Sequence, residues 1–154
     1  MTGFVKPAFQ IPTMQDIANI PWNGYKVAST FSGCGGSCLG YRMAGYKVIY
    51  ALEFIPEAQR TYKANHPDSY LDTSDIRDLQ PEQLLERAGV AKGELDILDG
   101  SPPCSAFSTA GSREKGWGKV KDYSDGAQRV DDLFYEYARI LEGVQPKVFV
   151  AENV

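Results

Sequence analysis

Short apolar runs recur along the chain, and each has the length of one buried strand. They lie at 26–31, 46–52, 69–71, 95–98 and 147–151. Stretches of helical periodicity separate them, so that strands and helices alternate. This alternation predicts an α/β fold built on a parallel sheet. The carboxyl ends of parallel strands meet at one edge of such a sheet, which is where ligands bind.

The helices are predicted from periodicity and from their boundary residues. They are expected at 39–44, 56–65, 81–89 and 131–142. Pro56 and Pro81 suit first helical positions, and Gly89 and Gly143 suit the positions that follow a last turn. In the helix that begins at Pro81, the apolar residues Leu84, Leu85 and Ala88 fall on one side.

The N-terminal segment, residues 1–24, precedes the strand pattern and is predicted to form a peripheral arm, with residues 25–154 as the main domain. Thr13 is expected to cap a short helix in this arm that ends near Pro21. The residues expected to face inward from that helix are Met14, Ile17 and Ala18.

Composition and charge limit the classes of protein to which the chain can belong. The chain has 154 residues, of which 43% are apolar and 23% charged, as in an ordinary globular domain. No apolar run approaches the ~20 residues of a membrane span, and the N-terminus lacks a secretory signal, so we expect a cytoplasmic protein that is not membrane-bound. The net charge of −4 means that a face for nucleic acid must be local or supplied by another part.

The cysteines and the histidine give little sign of a disulfide framework or a metal. The chain has three cysteines, an odd and sparse set. Cys34 and Cys38, even with His66 and Cys104, lack the paired spacing of a structural zinc site, so no metal is expected. His66 precedes Pro67 at a helix end, and we expect it to have a capping or surface role.

The first strand runs into a glycine-rich segment, which is Phe31-Ser32-Gly33-Cys34-Gly35-Gly36. Glycines at such a turn allow the backbone to approach a ligand closely. Glu53, twenty residues after Gly33 at the end of the next strand, is positioned to accept hydrogen bonds from ribose hydroxyls. The segment lacks the regular G-x-G-x-x-G spacing, which favours an adenosine ligand other than NAD. A tight strand-to-helix turn without a ligand is the alternative.

Two further strand ends carry groups that suit covalent and proton-transfer chemistry. Pro102 and Pro103 fix the backbone before Cys104, as a rigidly held nucleophilic thiolate requires. A structural cysteine in a proline turn is the alternative. Glu152 follows the last apolar run, where partial desolvation would raise its pKa toward the proton-transfer range. A solvated strand-end carboxylate is the alternative there.

About twenty residues after Cys104 show little periodicity and predict a long loop. Its basic residues are Arg113, Lys115, Lys119 and Lys121. Glu114 is the only acidic residue within 111–121, so this stretch has a positive charge, and Trp117 lies among the basic residues. Such a segment suits phosphate contacts and base stacking, or it is a solvated lysine-rich loop.

Together and in this order, the segments resemble the DNA (cytosine-5) methyltransferase family over about residues 26–154. The glycine-rich segment is similar to the family's first motif, whose variants read F-x-G-x-G-G. Residues 100–108 resemble its catalytic Pro-Pro-Cys motif, and residues 152–154 resemble its Glu-Asn-Val motif. The resemblance implies a Rossmann-like fold with a parallel sheet that uses S-adenosylmethionine, incomplete because the C-terminal part of the family fold is absent.

The resemblance also implies roles for individual residues. Glu53 would bind the ribose of the cofactor, and Asp75 with Ile76 would contact its adenine. The full set of cofactor-binding residues would be Phe31, Ser32, Gly33, Cys34, Gly35, Gly36, Glu53, Asp75, Ile76, Pro102 and Leu133. DNA would be contacted by Ser105, Arg113, Lys115, Lys119 and Lys121.

The implied mechanism begins with attack of Cys104 on C6 of a cytosine that has been flipped out of the duplex. Glu152 would hydrogen-bond the N3 side of that base. C5 would take the methyl group, and a base would then remove the C5 proton and expel Cys104.

Family members continue with a glutamine-arginine-arginine motif, a target-recognition region and a last helix, which the 154 residues do not include. A second polypeptide could supply them, or the chain could be a truncated or inactive remnant, and we expect that it cannot methylate DNA specifically by itself. A non-catalytic cofactor-binding or interaction module is one alternative, and a tRNA cytosine-5 methyltransferase of the same family is another. A restriction-modification role and an orphan or phage role are both open. The last strand is expected to expose an apolar sheet edge, which favours a partner chain or self-association.

Overall fold

The computed structural model describes residues 11–103, 121–123, 126–128 and 132–152. Within these ranges the strands are β1 (Lys26–Thr30), β2 (Lys47–Leu52), β3 (Tyr70–Asp72), β4 (Ile97–Gly100), β5 (Lys121–Tyr123), β6 (Gly126–Gln128) and β7 (Val148–Ala151). The helices are α1 (Met14–Ala18), α2 (Gly36–Met43), α3 (Pro56–Asn65), α4 (Pro81–Ala88) and α5 (Leu133–Val144). None of the helices in these ranges is long and apolar enough to cross a membrane.

Five strands form one parallel sheet in the order β3-β2-β1-β4-β7. The central strand β1 pairs with β2 and β4, so that Ala28 lies opposite both Tyr50 and Leu98. The first strand in the chain is therefore central, and its carboxyl end is flanked by the ends of two others. This arrangement confirms the α/β fold with a parallel sheet.

The two faces of the sheet bury separate apolar clusters, because successive residues of a strand point to opposite faces. One face packs against α4 and α5, and its fully buried side chains include Tyr50, Leu98 and Ile140. The other packs against α2 and α3 through Val48 and Tyr62. Both faces are therefore covered, as expected for a parallel sheet.

Several boundaries differ from the prediction. Strand β4 begins and ends two residues later than expected, and helix α5 is displaced by two residues in the same direction. Gly143 lies inside α5. A Cβ there would come within 2.3 Å of Pro81 Cγ, so the glycine allows α5 to pack closely against α4. Gln145 instead takes the left-handed C-cap position, with φ of 52°. In α1, Ile17 is buried, but the inward placement of Met14 and Ala18 is wrong, since both are exposed.

The expected long loop contains regular structure in part. Strands β5 and β6 pair as a short antiparallel hairpin, and β5 falls within the stretch predicted to be irregular. Three-residue strands carry too little pattern to be recognised by periodicity. Residues 104–120 lie outside the described part of the chain.

Candidate cofactor and cytosine site

The glycine-rich segment forms the turn between β1 and α2. Gly33 and Gly35 adopt positive φ values of 56° and 89°, and Phe31 does so as well, at 54°. The backbone N–H of Gly35 donates to the Ser32 carbonyl oxygen at 2.9 Å, which closes the turn. A Cβ on Gly33 or Gly36 would meet no atom within 4 Å, so one side of the turn is open. The positive φ values explain the glycines at 33 and 35, because side chains are disfavoured in that region.

Glu53 lies directly after β2 and joins this turn to the next loop. It is 7% exposed. Its Oε2 accepts from the backbone N–H of Gly33 at 2.7 Å, and its Oε1 accepts from that of Ile55 at 2.7 Å. Each carboxylate oxygen keeps a further lone pair, so the group can still accept hydrogen bonds from hydroxyls. The two segments that the sequence pairs as a nucleotide site are therefore in direct contact.

The Asp75-Ile76 turn is tied to α5 by two arginines. Arg77 donates to Asp75 Oδ2 at 3.0 Å and to Asp132 Oδ1 at 2.9 Å. Arg139 donates to the Ile76 carbonyl oxygen at 2.9 Å. The Ile76 side chain is 3% exposed and belongs to the larger core cluster. Asp75 therefore offers more polar surface to a ligand than the side chain of Ile76 does.

Asp99, near the end of β4, is a buried carboxylate that accepts hydrogen bonds from three hydroxyl groups. Ser29 Oγ donates to its Oδ2 at 3.1 Å, Ser37 Oγ to the same oxygen at 2.6 Å, and Tyr41 to its Oδ1 at 3.3 Å. Burial, together with the negative charge of Asp99, raises the pKa of Tyr41. The sequence marks Asp99 as a strand-end acid, but it does not reveal these partners.

Glu152 follows β7, and its backbone N–H donates to the Gly100 carbonyl oxygen at 3.0 Å. It lines a cleft of about 470 Å³ together with Ser37, Asp99 and Ser101. The residue is exposed, so the expectation of a partly desolvated side chain is wrong for this structure. The reason is that β7 is the last strand of the described sheet, and no described strand covers its outer edge.

The remaining predicted site residues fall into two groups. Cys104, Ser105, Arg113, Lys115 and Lys119 lie outside the described residues, and the side chain of Lys121 does too. Pro102 is fully buried, and Leu133 is 5% exposed at the start of α5 in the larger core cluster. Leu133 thus supports the site mainly by packing.

The sequence predicts a capping or a surface role for His66. The capping role is confirmed, since His66 is the C-cap of α3, and its 3% exposure excludes the surface role. Among the described side chains, no group of three or more histidines, cysteines and acidic residues could hold a metal ion. Cys34 is exposed and Cys38 is buried, and burial raises the pKa of the Cys38 thiol.

Comparison with known proteins identifies the family. A family model described as C-5 cytosine-specific DNA methylase matches residues 25–154. The chain belongs to this family. The match confirms the resemblance to the DNA (cytosine-5) methyltransferase family.

Named relatives are type II methyltransferases. M.NgoPII of Neisseria gonorrhoeae is 38% identical over 141 residues, covering 92% of this chain and 36% of M.NgoPII. M.AgeI of Thalassovita gelatinovora is 37% identical over 129 residues, covering 84% of this chain and 28% of M.AgeI.

Solved structures show the same fold. A prophage-encoded E. coli protein described as a DNA modification methyltransferase aligns with a TM-score of 0.66 at 30% identity, covering 85% of this chain and 32% of that one. Spodoptera frugiperda DNMT2 aligns with a TM-score of 0.59 at 23% identity, covering 85% and 36% respectively. The Rossmann-like methyltransferase fold is thereby confirmed for the N-terminal part of the family domain. This chain spans about a third of the length of its relatives.

Proposed function

We propose that this chain forms the cofactor- and cytosine-binding part of a DNA (cytosine-5) methyltransferase. The whole enzyme would transfer a methyl group from S-adenosylmethionine to C5 of cytosine in DNA. The observation that carries the proposal is the contact of Glu53 Oε2 with the Gly33 N–H at 2.7 Å, since it joins the glycine-rich turn to the acid that suits a ribose. The names of the relatives favour a role in restriction-modification.

The described residues fit S-adenosylmethionine. The open side of the turn leaves room beside Gly33 and Gly36. Glu53 can accept from ribose hydroxyls, and Asp75 presents a carboxylate that can accept from an exocyclic amino group. The first turn of α2 has backbone N–H groups without intrahelical acceptors, which favour an anionic group such as a carboxylate. When bound, the cofactor supplies an activated methyl group.

The roles proposed for Cys104 and Glu152 draw support from the pairing of β4 with β7. Gly100 and Ala151 are partners in that pairing, so the segment that leads to Cys104 runs beside the one that leads to Glu152. The thiolate of Cys104 would form the bond to C6 of cytosine, and the Glu152 carboxyl would hydrogen-bond the N3 side. Such covalent attack divides a difficult substitution into easier steps.

DNA contacts are proposed for Ser105 and for the basic residues Arg113, Lys115, Lys119 and Lys121. Backbone phosphates are bound mainly by lysine and arginine, whereas sequence is read at base edges. The relatives are about three times as long as the matched region. We therefore propose that target recognition needs further residues, on the same or on a second polypeptide, and that the 154-residue chain alone does not methylate DNA specifically.

The first experiment is calorimetric titration of the chain with S-adenosylmethionine. We expect binding by the unmodified chain and at least about tenfold weaker binding by Glu53→Ala, because the ribose hydroxyls lose a charged acceptor. The matched control is Glu57→Ala, since Glu57 is an exposed glutamate on α3 that contacts Arg60. Equal loss in both variants, or no binding by the unmodified chain, would contradict the proposed cofactor site.

A second experiment separates the catalytic role from a non-catalytic binding module. DNA that contains 5-fluorocytosine should trap a covalent adduct, because the fluorine cannot leave as the C5 proton does. We expect an adduct that depends on S-adenosylmethionine and is absent in Cys104→Ala, when the chain is tested with the segments that complete it. An adduct that survives in Cys104→Ala would exclude Cys104 as the nucleophile.

A further inference from the structure

We propose that His66 is a positioning residue for the cofactor-binding turn, because its imidazole holds the Gly35 carbonyl group at the start of α2. The inference rests on the proposed function of that turn. It assigns to the single histidine of the chain a role that neither its sequence context nor the family match indicates.

The first contact joins the histidine to the turn itself. His66 Nε2 lies 3.0 Å from the Gly35 carbonyl oxygen. A carbonyl oxygen can only accept, so Nε2 carries the hydrogen. The same oxygen accepts from the Leu39 N–H at 2.9 Å, which is the first backbone hydrogen bond of α2. His66 therefore acts on the residue at which the glycine-rich turn becomes a helix.

The second contact determines the tautomer. An Nη atom of Arg42 lies 3.2 Å from His66 Nδ1 and 2.7 Å from the Asn65 carbonyl oxygen. A guanidinium group can only donate, so Nδ1 must accept and carries no hydrogen. The imidazole is thus neutral, with its proton on Nε2, and its nitrogens contact the N-cap residue of α2 and Arg42 within α2.

Packing leaves the imidazole little freedom. The rings of Tyr62 and His66 are 4.5 Å apart between centroids, and the Tyr62 hydroxyl donates to Cys38 Sγ at 3.5 Å. A Cβ added to Gly35 would lie 2.3 Å from His66 Nε2. The side chains at the end of α3 therefore fill the space beside Gly35, whereas the space beside Gly33 and Gly36 is open.

Protonation would disrupt this arrangement. A proton on Nδ1 would face the Arg42 guanidinium. The other titratable groups nearby are Cys38 of α2 and Tyr62 of α3. Tyr46, Lys47 and Asp68 line a cleft of about 620 Å³ with His66.

Burial and the charge of Arg42 lower the pKa of His66 below its ordinary value of 6.5. The unfolded chain therefore takes up a proton more readily than the folded chain. Any stability that depends on neutral His66 is present above pH 6.5 and is lost as the pH falls through the lowered pKa.

The test is calorimetric titration with S-adenosylmethionine from pH 5 to pH 8 for three proteins. His66→Leu removes the hydrogen bond, and we expect about tenfold weaker binding at pH 8, because the Gly35 carbonyl group is no longer held in place. His66→Gln keeps an amide donor with similar reach but does not titrate. We expect it to recover most of the affinity and to lack the weakening of binding at acid pH that we expect of the unmodified chain.

The ratio of dissociation constants between the unmodified chain and His66→Gln is the decisive quantity, because titration of the cofactor itself affects both equally. Each variant is first checked for folding by circular dichroism. Equal affinity and an equal pH profile in all three proteins would overturn the inference while leaving the proposed function intact. Absence of binding by the unmodified chain would overturn both. As an independent readout without cofactor, the ¹⁵N shifts of the ring should report Nε2–H as the neutral tautomer.

Discussion

Glu53 and Asp99 are buried carboxylates at the carboxyl ends of β2 and β4, the two strands that flank β1. Their surroundings differ in kind. Glu53 accepts from backbone amides of the turns it joins, and its hydroxyl-binding capacity remains available to a ligand. Asp99 already accepts from three hydroxyl groups, so its role is to connect β1, β4 and α2.

Asp99→Asn should lower the free energy of unfolding by about 1.5–3 kcal/mol, because hydroxyl groups lose a charged acceptor in a buried setting. Urea unfolding followed by circular dichroism measures this. Asp68→Asn is the matched control, since Asp68 is exposed and should change stability by less than about 0.5 kcal/mol. Similar values for the two variants would show that the hydroxyl cluster contributes little.

Helices α4 and α5 pack on the same face of the sheet, and their contact explains a boundary that was mispredicted. Gly143 resembles a helix-ending glycine when only the local sequence is considered. In the structure it lies in the last turn of α5, where Pro81 of α4 occupies the space that a side chain would need. Gly143 thus allows the two helices to pack closely and does not end α5.

Gly143→Ala should destabilise the protein by about 1–3 kcal/mol through overpacking, although alanine favours a helix by ~1 kcal/mol. Gly40→Ala is the matched control within α2. A Cβ there meets no atom within 4 Å, so this variant should gain about 0.5–1 kcal/mol. Thermal unfolding of both variants tests the difference. A gain of stability in Gly143→Ala would contradict the packing argument.

The described molecule exposes apolar side chains along the edge strand β7. Val148, Phe149 and Val150 are 54%, 56% and 39% exposed. This confirms the expectation of an apolar sheet edge. Unpaired edge strands with apolar side chains are templates for association.

Sedimentation velocity at increasing concentration should therefore detect self-association of the unmodified chain. Phe149→Lys should shift the population toward the monomer, because a charge on an edge strand opposes strand pairing. Tyr135→Lys is the control, since Tyr135 is 67% exposed on α5 and does not belong to strand β7. A chain that stays monomeric at every concentration, or an equal effect of both substitutions, would contradict this role for β7.

The sequence alone was sufficient to predict the parallel α/β fold and the strand ends that carry polar residues. It also predicted that Glu53 and the glycine-rich turn belong to one site. Such features follow from local periodicity and from the rule that parallel strands end at one edge. The family motifs then added roles for residues that local pattern alone left ambiguous.

Tertiary structure decided which side chains meet. Ser29 and Asp99 are 70 positions apart, and Gly35 and His66 are 31 apart, yet each pair forms a hydrogen bond. Periodicity reports only which face of an element is apolar, whereas these contacts depend on how whole elements pack. That is why the burial of His66 against the glycine-rich turn could be recognised only in the folded protein.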